Sequence, residues 1–288
     1  MHFAAAKSLL SSRNGMNLVR GCVHGCIYCD SRSKCYNMQH DFEDVEIKRN
    51  AAELLEAALR KKRHPCMIGT GSMSDPYIPI PESLALTRRC IELVDKYNFG
   101  WTMITKSPLF LNDIELLDKI NRKTKCVVQM TMTTYDEALC PIIEPNVAGT
   151  KERFEALMEC KRRGIPTVVW FDPILPFIND TEENIQGILD YCIEAAVQGI
   201  IYFGAGLTLR QGNREYFYQK LDEHFPGLKA QYEKKYGYNY HIASPKNYHL
   251  SALFYKTCKE HNIMCRPSDV FLYLAEFPET GSGQGELF

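Results

Sequence analysis

Residues 17–29 read Asn17-Leu18-Val19-Arg20-Gly21-Cys22-Val23-His24-Gly25-Cys26-Ile27-Tyr28-Cys29. A short apolar strand candidate, Asn17–Val19, runs directly into a loop that carries three cysteines at C-x3-C-x2-C spacing. Three thiolates are one fewer than a [4Fe–4S] cluster takes, so one iron of such a cluster stays free for a small molecule. A zinc knuckle short of one ligand, or three unrelated buried thiols, also accounts for three cysteines. Zinc sites pair two C-x2-C-like halves, however, and no second half follows here. His24 reads as a loop residue, because a fourth ligand at that point would close the free iron.

The same unit, a strand followed by a polar loop, recurs downstream. Further strand candidates are Cys66–Gly69, Trp101–Thr105, Cys126–Thr133, Thr167–Phe171 and Gly199–Phe203. Helical spacing fills the intervals. Ala51–Lys62 carries Ala51, Leu54, Leu55, Ala58 and Leu59 on one face behind an Asn50/Glu53 capping-box pattern. Ser83–Lys96, Ile114–Asn121, Lys151–Arg163 and Glu182–Val197 follow, the last begun by Asp180 and Glu183. Six strands with intervening helices predict an α/β fold built on a parallel sheet. They are too few for the full eight-fold barrel and suit a partial (β/α)6 TIM-type barrel with a helical C-terminal cap. The expected division is a core barrel over 1–206, the cap over 207–279 and a flexible tail over 280–288. In the cap, Glu215–His224, Leu228–Tyr236 and Tyr248–His261 read as helices and Val270–Leu274 as a strand.

Barrels of this kind keep their chemistry on the loops that follow the C-terminal ends of the strands. The cysteine triplet, Thr70-Gly71-Ser72-Met73-Ser74-Asp75-Pro76-Tyr77, Lys106-Ser107, Thr133-Thr134, Asp172-Pro173 and Gly204-Ala205-Gly206 occupy that phase. The Ser74 hydroxyl and Asp75 carboxylate can accept hydrogen bonds from an ammonium, although Asp75-Pro76 is also ordinary turn chemistry. Lys106 is either a solvated strand end or a cation aimed into the barrel mouth. Thr131 and Thr133, two apart, share a strand face and suit a ribose or carboxylate, or are β-branched filler. Glu144 reads as an ion-pair partner or a binding carboxylate.

Composition narrows the class. The chain has 288 residues and a formal net charge of −1, so no global basic field points to nucleic acid. No apolar run is long enough to span a membrane, and no leader-like stretch opens the chain, which predicts a cytoplasmic protein. In a reducing compartment its 12 cysteines serve metals or sit in cores. Cys66, Cys90, Cys126, Cys160, Cys192 and Cys258 fit the second role, and Cys35 is a bystander near the loop. Tyr232, Lys234, Lys235, Tyr236, Tyr238, Tyr240, His241 and Lys246 interleave aromatics with cations, a pattern that can stack bases and neutralise phosphates. A solvated helix whose tyrosines pack on the barrel gives the same pattern.

The cysteine spacing with Tyr28 before Cys29 resembles the cluster loop of the radical S-adenosylmethionine (SAM) enzymes. From Asn17 to about Asp180 the chain resembles the spore photoproduct lyase-like branch of that family. The carrying residues are Arg20–Cys29, Gly69-Thr70-Gly71, Ser74-Asp75-Pro76-Tyr77, Thr105-Lys106-Ser107, Ile143-Glu144-Pro145 and Asp172-Pro173-Ile174-Leu175-Pro176. The run Cys29-Asp30-Ser31-Arg32-Ser33-Lys34-Cys35-Tyr36 looks like proteins described as radical SAM mobile pair proteins.

The resemblance implies that Cys22, Cys26 and Cys29 hold a [4Fe–4S] cluster whose free iron takes the amino and carboxylate groups of SAM. An electron from the cluster then breaks a carbon–sulfur bond and releases a 5′-deoxyadenosyl radical. It places Ser74, Asp75, Lys106 and Thr131 or Thr133 at the SAM contacts, gives Tyr28 a catalytic role, and implies an electron donor such as flavodoxin or ferredoxin. The expected reaction is hydrogen abstraction from a nucleic-acid base. Modification of a peptide, protein or small metabolite, and a non-catalytic iron–sulfur protein for electron transfer or sensing, remain open. Two positions depart from the lyase pattern. Met73 stands where the lyase has a hydrogen-donating cysteine, and Asp30 stands where it has a tyrosine after the third cluster cysteine. At the end of the chain, Gln284-Gly285-Glu286-Leu287-Phe288 behind Gly281-Ser282-Gly283 resembles the peptides that dock bacterial repair proteins on the sliding clamp. A disordered or artificial tail has the same composition.

Overall fold

The computed structural model describes residues 1–278. Its centre is a six-stranded parallel sheet, with strands β1 (Gly15–Met16), β2 (Met67–Thr70), β3 (Gly100–Thr105), β4 (Cys126–Thr131), β5 (Thr167–Trp170) and β6 (Gly199–Ile201) in sequential order. Helices α1 (Ala51–Lys61), α2 (Pro81–Lys96), α3 (Ile114–Lys123), α4 (Thr150–Arg163) and α5 (Glu182–Glu194) fill the crossovers. Parallel neighbours need such crossovers, and helices on the outer face leave the strands buried on both sides. All six residues of β4 are accordingly buried. One large core joins Ile68, Trp101, Met103, Val128, Met130, Val169 and Phe171 to the inner faces of the helices. Each large apolar side chain so enclosed contributes about 1.5–3 kcal/mol.

The partial barrel matches the expectation, with local differences. The first strand is Gly15–Met16, and Val19–Arg20 turns away to a separate sheet with Glu46–Lys48 and His2–Ala4. Helix α1 has no side-chain cap at Asn50; that amide instead bonds Ala6 through both its oxygen and its nitrogen, tying the N-terminal strand down. Helix α5 starts on Thr181, whose side chain accepts from Asn184 N, while Asp180 accepts from Ser244 in the cap.

The cap contains a two-stranded antiparallel ribbon, β7 (Gly206–Thr208) with β8 (His241–Ala243), that the sequence reading left out. Helices α6 (Asn213–His224), α7 (Leu228–Tyr236), α8 (Asn247–Glu260) and α9 (Pro267–Ala275) surround it. The last corrects the strand expected at Val270–Leu274: five apolar residues suit either element, and Pro267 at the first helical turn decides for a helix. Val270 and Leu274 pack on Val168 and Ile201, and Met264 bridges Gly199, so the open edge of β6 is covered. Among the described residues, no helix is long and apolar enough to cross a membrane.

Candidate active site at the barrel mouth

The sheet register aligns the strand ends on one rim. Met16 pairs with Thr70, Thr105 with Met130, Thr131 with Trp170 and Trp170 with Ile201. The cysteine loop and the segment after β2 enter that rim through two glycines. Gly71 has φ +96°, and a Cβ on it would lie 2.1 Å from Ile104 O. Gly21 has φ +85°, and its Cβ would meet Phe42 O at 2.4 Å. Only glycine fits either place.

Cys22, Cys26 and Cys29 line one cavity of about 120 Å³ together with Ser74, Asp75, Lys106 and Thr131. Burial, with the neighbouring Cys29, pushes the Cys22 thiol up to about 12, and burial also drives Cys26 well above its usual value. Thiols in so dry a place are stable as thiolates only when a metal takes the proton's place. Among the described residues, the only His, Cys, Asp or Glu trio with ligand atoms all within 4.8 Å of one another lies elsewhere, at His2, His40 and Asp44. At least one pair of the three sulfurs is therefore more than 4.8 Å apart, wider than the roughly 3.8 Å between thiolate ligands of one tetrahedral zinc with bonds near 2.3 Å. Three thiols that line one cavity without all gathering at zinc spacing suit the three-cysteine ligand set of a [4Fe–4S] cluster.

Two buried carboxylates hold the loop. Asp75 accepts from Tyr77 N (2.8 Å) and the Thr105 hydroxyl (2.7 Å) on Oδ1, and from Lys106 N (2.7 Å) on Oδ2. His24 Nε2 lies 3.0 Å from the same Oδ2. Burial alone would raise its pKa, but His24 and the two amides hold it below the usual carboxylate value. Glu144 accepts from the Tyr28 hydroxyl, from Arg153 and from Thr133 (3.2 Å). Glu144 and Arg153 are both wholly buried. Burial would raise Glu144 too, but the charges of Arg153 and Lys106 and the Tyr28 hydrogen bond lower it. Burial and the Glu144 charge together hold the Tyr28 proton well above a normal phenol's pKa.

Lys106 Nζ lies 5.7 Å from the centre of the Tyr28 ring. Burial opposes its charge, but the facing Cys26 and Glu144 outweigh that and raise its pKa. A larger cavity of about 530 Å³ adjoins the first and shares Tyr28, Cys29, Lys106 and Thr131 with it. Trp170, Phe203, Asp172, His241 and Asn247 line its outer part. Burial raises the Asp172 carboxyl to about 7 despite the opposing charge of Lys106.

The structure thus brings Ser74, Asp75, Lys106, Thr131 and Tyr28 to the cluster cavity. It sets Thr133 behind them on Glu144, because β4 ends at Thr131. Met73 lines the same cavity, and its amide donates to Asn17. Asp30 accepts from Ser33 and Tyr36. Sequence reasoning missed Arg153; the available signal was an arginine on the face of α4 that also carries Ala156, Leu157 and Cys160. In the cap, Tyr232 is wholly buried with its hydroxyl on Pro176 O and Tyr236 bonds Ala243 O, so these two tyrosines are packing residues.

Comparisons with known proteins show the family and the fold. The family model "Radical SAM superfamily" matches residues 16–192. An uncharacterized protein of Mycobacterium bovis is 26% identical over 235 residues, covering 79% of this chain and 68% of its own. One of Methanocaldococcus jannaschii is 30% identical over 169 residues, covering 58% of this chain and 62% of its own. A solved spore photoproduct lyase variant superposes with TM-score 0.61 at 15% identity, covering 91% of this chain and 80% of the lyase. A radical S-adenosylmethionine methyltransferase of Kitasatospora setae, with cobalamin and a [4Fe–4S] cluster bound, gives TM-score 0.58 at 12% identity over 87% of this chain and 52% of its own. These last two likenesses concern the fold. The chain belongs to the radical SAM superfamily, whose enzymes work with a [4Fe–4S] cluster and S-adenosylmethionine.

Proposed function

We propose that this enzyme abstracts hydrogen from a nucleic-acid base held in the larger cavity. One observation carries the reading. That cavity shares Tyr28, Cys29, Lys106 and Thr131 with the cluster cavity, and it combines aromatic faces (Trp170, Phe203) with hydrogen-bonding edges (Asp172, His241, Asn247). Flat heteroaromatic rings are recognised by that combination of stacking and edge contacts. A spore photoproduct lyase variant solved with AdoMet and a dinucleoside spore photoproduct has the same fold, at TM-score 0.58 and 14% identity.

Cys22, Cys26 and Cys29 would hold the cluster. When bound, the cluster and SAM supply the electron and the 5′-deoxyadenosyl radical. Ser74, Lys106 and Thr131, on the wall of the smaller cavity, would hold SAM, the Lys106 cation suiting its carboxylate. Asp75, already accepting four hydrogen bonds, would offer the SAM ammonium only what these leave free and otherwise orders the loop. Thr133 acts through Glu144. Tyr28 closes the boundary between the two cavities, its hydroxyl fixed on Glu144. Met73 has no S–H to return to a product radical, so lyase-type repair is not the reaction we favour. The protein would work in the cytoplasm with a flavodoxin- or ferredoxin-like donor. The clamp-docking motif expected at Gln284–Phe288 lies outside the described residues and stands as an independent proposal for a DNA-directed role.

The test is deoxyadenosine formation by reduced, cluster-loaded enzyme with SAM alone and with single-stranded DNA, RNA or peptide. Oligonucleotide should stimulate turnover and pass deuterium from a labelled base into deoxyadenosine. Stimulation by peptide alone would assign a protein or peptide substrate and overturn the reading.

A further inference from the structure

The N-terminal strand His2–Ala4 runs parallel to Glu46–Lys48, with His2 paired to Glu46 and its amide on Val45 O at 3.0 Å. That register sets the His2 imidazole against the loop that precedes Glu46. His40 from the loop meets it edge-on, with ring centroids 4.8 Å apart at 86°. Asp44 completes the group. One nitrogen of each imidazole and one Asp44 oxygen all lie within 4.8 Å of one another, and His2 Nδ1 is 3.0 Å from Asp44 Oδ2. Glu46 Oε2 stands 3.9 Å from both His2 Nε2 and His40 Nε2. The Met1 amine also touches Asp44, at 3.0 Å.

Two features separate this cluster from surface ion pairing. His40 Nδ1 lies 2.9 Å from Asp41 O, and a carbonyl only accepts, so Nδ1 carries a proton and a neutral ring presents its lone pair on Nε2. A backbone carbonyl behind the far nitrogen is also how ligand histidines are commonly oriented. Second, His40 Nε2 is shut off from solvent with no hydrogen-bond partner among the described residues, Glu46 Oε2 standing 3.9 Å away. A buried polar atom in that state ordinarily has a partner.

We propose that His2, His40 and Asp44 form a second metal site that takes a zinc ion, separate from the cluster, with Glu46 or water as the fourth ligand. Two imidazoles and a carboxylate suit zinc rather than the hard oxygen-loving cations. A tetrahedral ion sets its ligand atoms roughly 3.3–3.6 Å apart, a small contraction of the present group. The ion would clasp the loop to the N-terminal strand. That loop is the one supporting the cluster cysteines: Cys22 N donates to Phe42 O at 2.9 Å, and Phe42 lines the cluster cavity.

Tag-free, cluster-loaded protein exposed to excess zinc and desalted should retain about one zinc ion per chain with its iron unchanged. His2→Ala and His40→Ala should each bring zinc to background while iron stays at the wild-type level. Wild-type protein that keeps no zinc, or His40→Ala protein that keeps as much as wild type, overturns the site. Because alanine can loosen the loop, the variant His40→Gln is read as well, by cobalt(II) titration of a chain carrying Cys22→Ser, Cys26→Ser and Cys29→Ser. Tetrahedral cobalt bands without thiolate charge transfer should appear on that chain and vanish when His40→Gln is added. Bands that survive would place the metal elsewhere and sink the proposal.

Discussion

Asp75 and Glu144 flank the same loop and do comparable jobs by different physics. Asp75 is held charged by two amides, a hydroxyl and His24, and among the described residues no permanent cation hydrogen-bonds it. Glu144 sits wholly inside the protein against the equally buried Arg153. The first anchor grips the loop at His24, the second at Tyr28. Many modest hydrogen bonds degrade one at a time, whereas a dry ion pair fails at once when either member is lost. The difference locates the brittle point of the site behind the cavity rather than in it.

The largest effect should therefore come from Arg153→Met. It leaves Glu144 charged and unpaired, and should cost about 3–5 kcal/mol, read as a drop in denaturant midpoint with loss of bound iron. Adding Glu144→Leu should recover much of that loss; no recovery would show that Arg153 matters through something other than its partner. Asp75→Ala orphans four donors and should cost roughly 2–3 kcal/mol, with SAM affinity about ten- to hundred-fold weaker and iron content largely kept. If iron falls as far as in the Arg153 variant, the two anchors are equivalent and the contrast fails. Tyr28→Phe removes one hydrogen bond yet keeps the Glu144–Arg153 pair, so about 1 kcal/mol is expected. Deoxyadenosine formation measured on that variant separates a positioning tyrosine, which leaves it intact, from one required for turnover.

Acid sharpens the comparison further, though by less. The folded state holds Asp75 below its ordinary value of 3.8. A carboxylate depressed in this way contributes stability that is fully present above the unfolded pKa and is lost as pH falls through the folded one. The stability gap between wild type and Asp75→Asn should be constant near neutrality and narrow only below about pH 4. A gap that already narrows as pH falls from 7 to 5 would mean that the folded protein holds Asp75 above, not below, its ordinary value.

Much of the barrel was legible because strand and helix alternate with distinct periods, and because polar residues recur at one phase of the unit. The strands were readable wherever four or more apolar β-formers ran together, as in Cys126–Thr131. Gly15–Met16, Gly206–Thr208 and His2–Ala4 were not, since two or three residues show no alternation and their pairing is decided by distant chain. Helix α9 was misread because its apolar run is short and its partner face is in the sheet. Residue types nominated Asp75 and Glu144, yet could not say that each is enclosed by donors from three separate segments. Arg153 was hidden by its setting, a helix whose other cations are exposed or half-exposed.

The back of the cysteine loop has one more consequence. Cys26, Ile27 and Tyr28 are packed in a second apolar core with Leu207, Phe217, Tyr232 and Ile242 of the cap. On a ribosome the cysteines emerge long before those residues exist, so the nascent loop has no floor to rest on. The loop therefore reaches this packed form only once the chain has been made past Ile242.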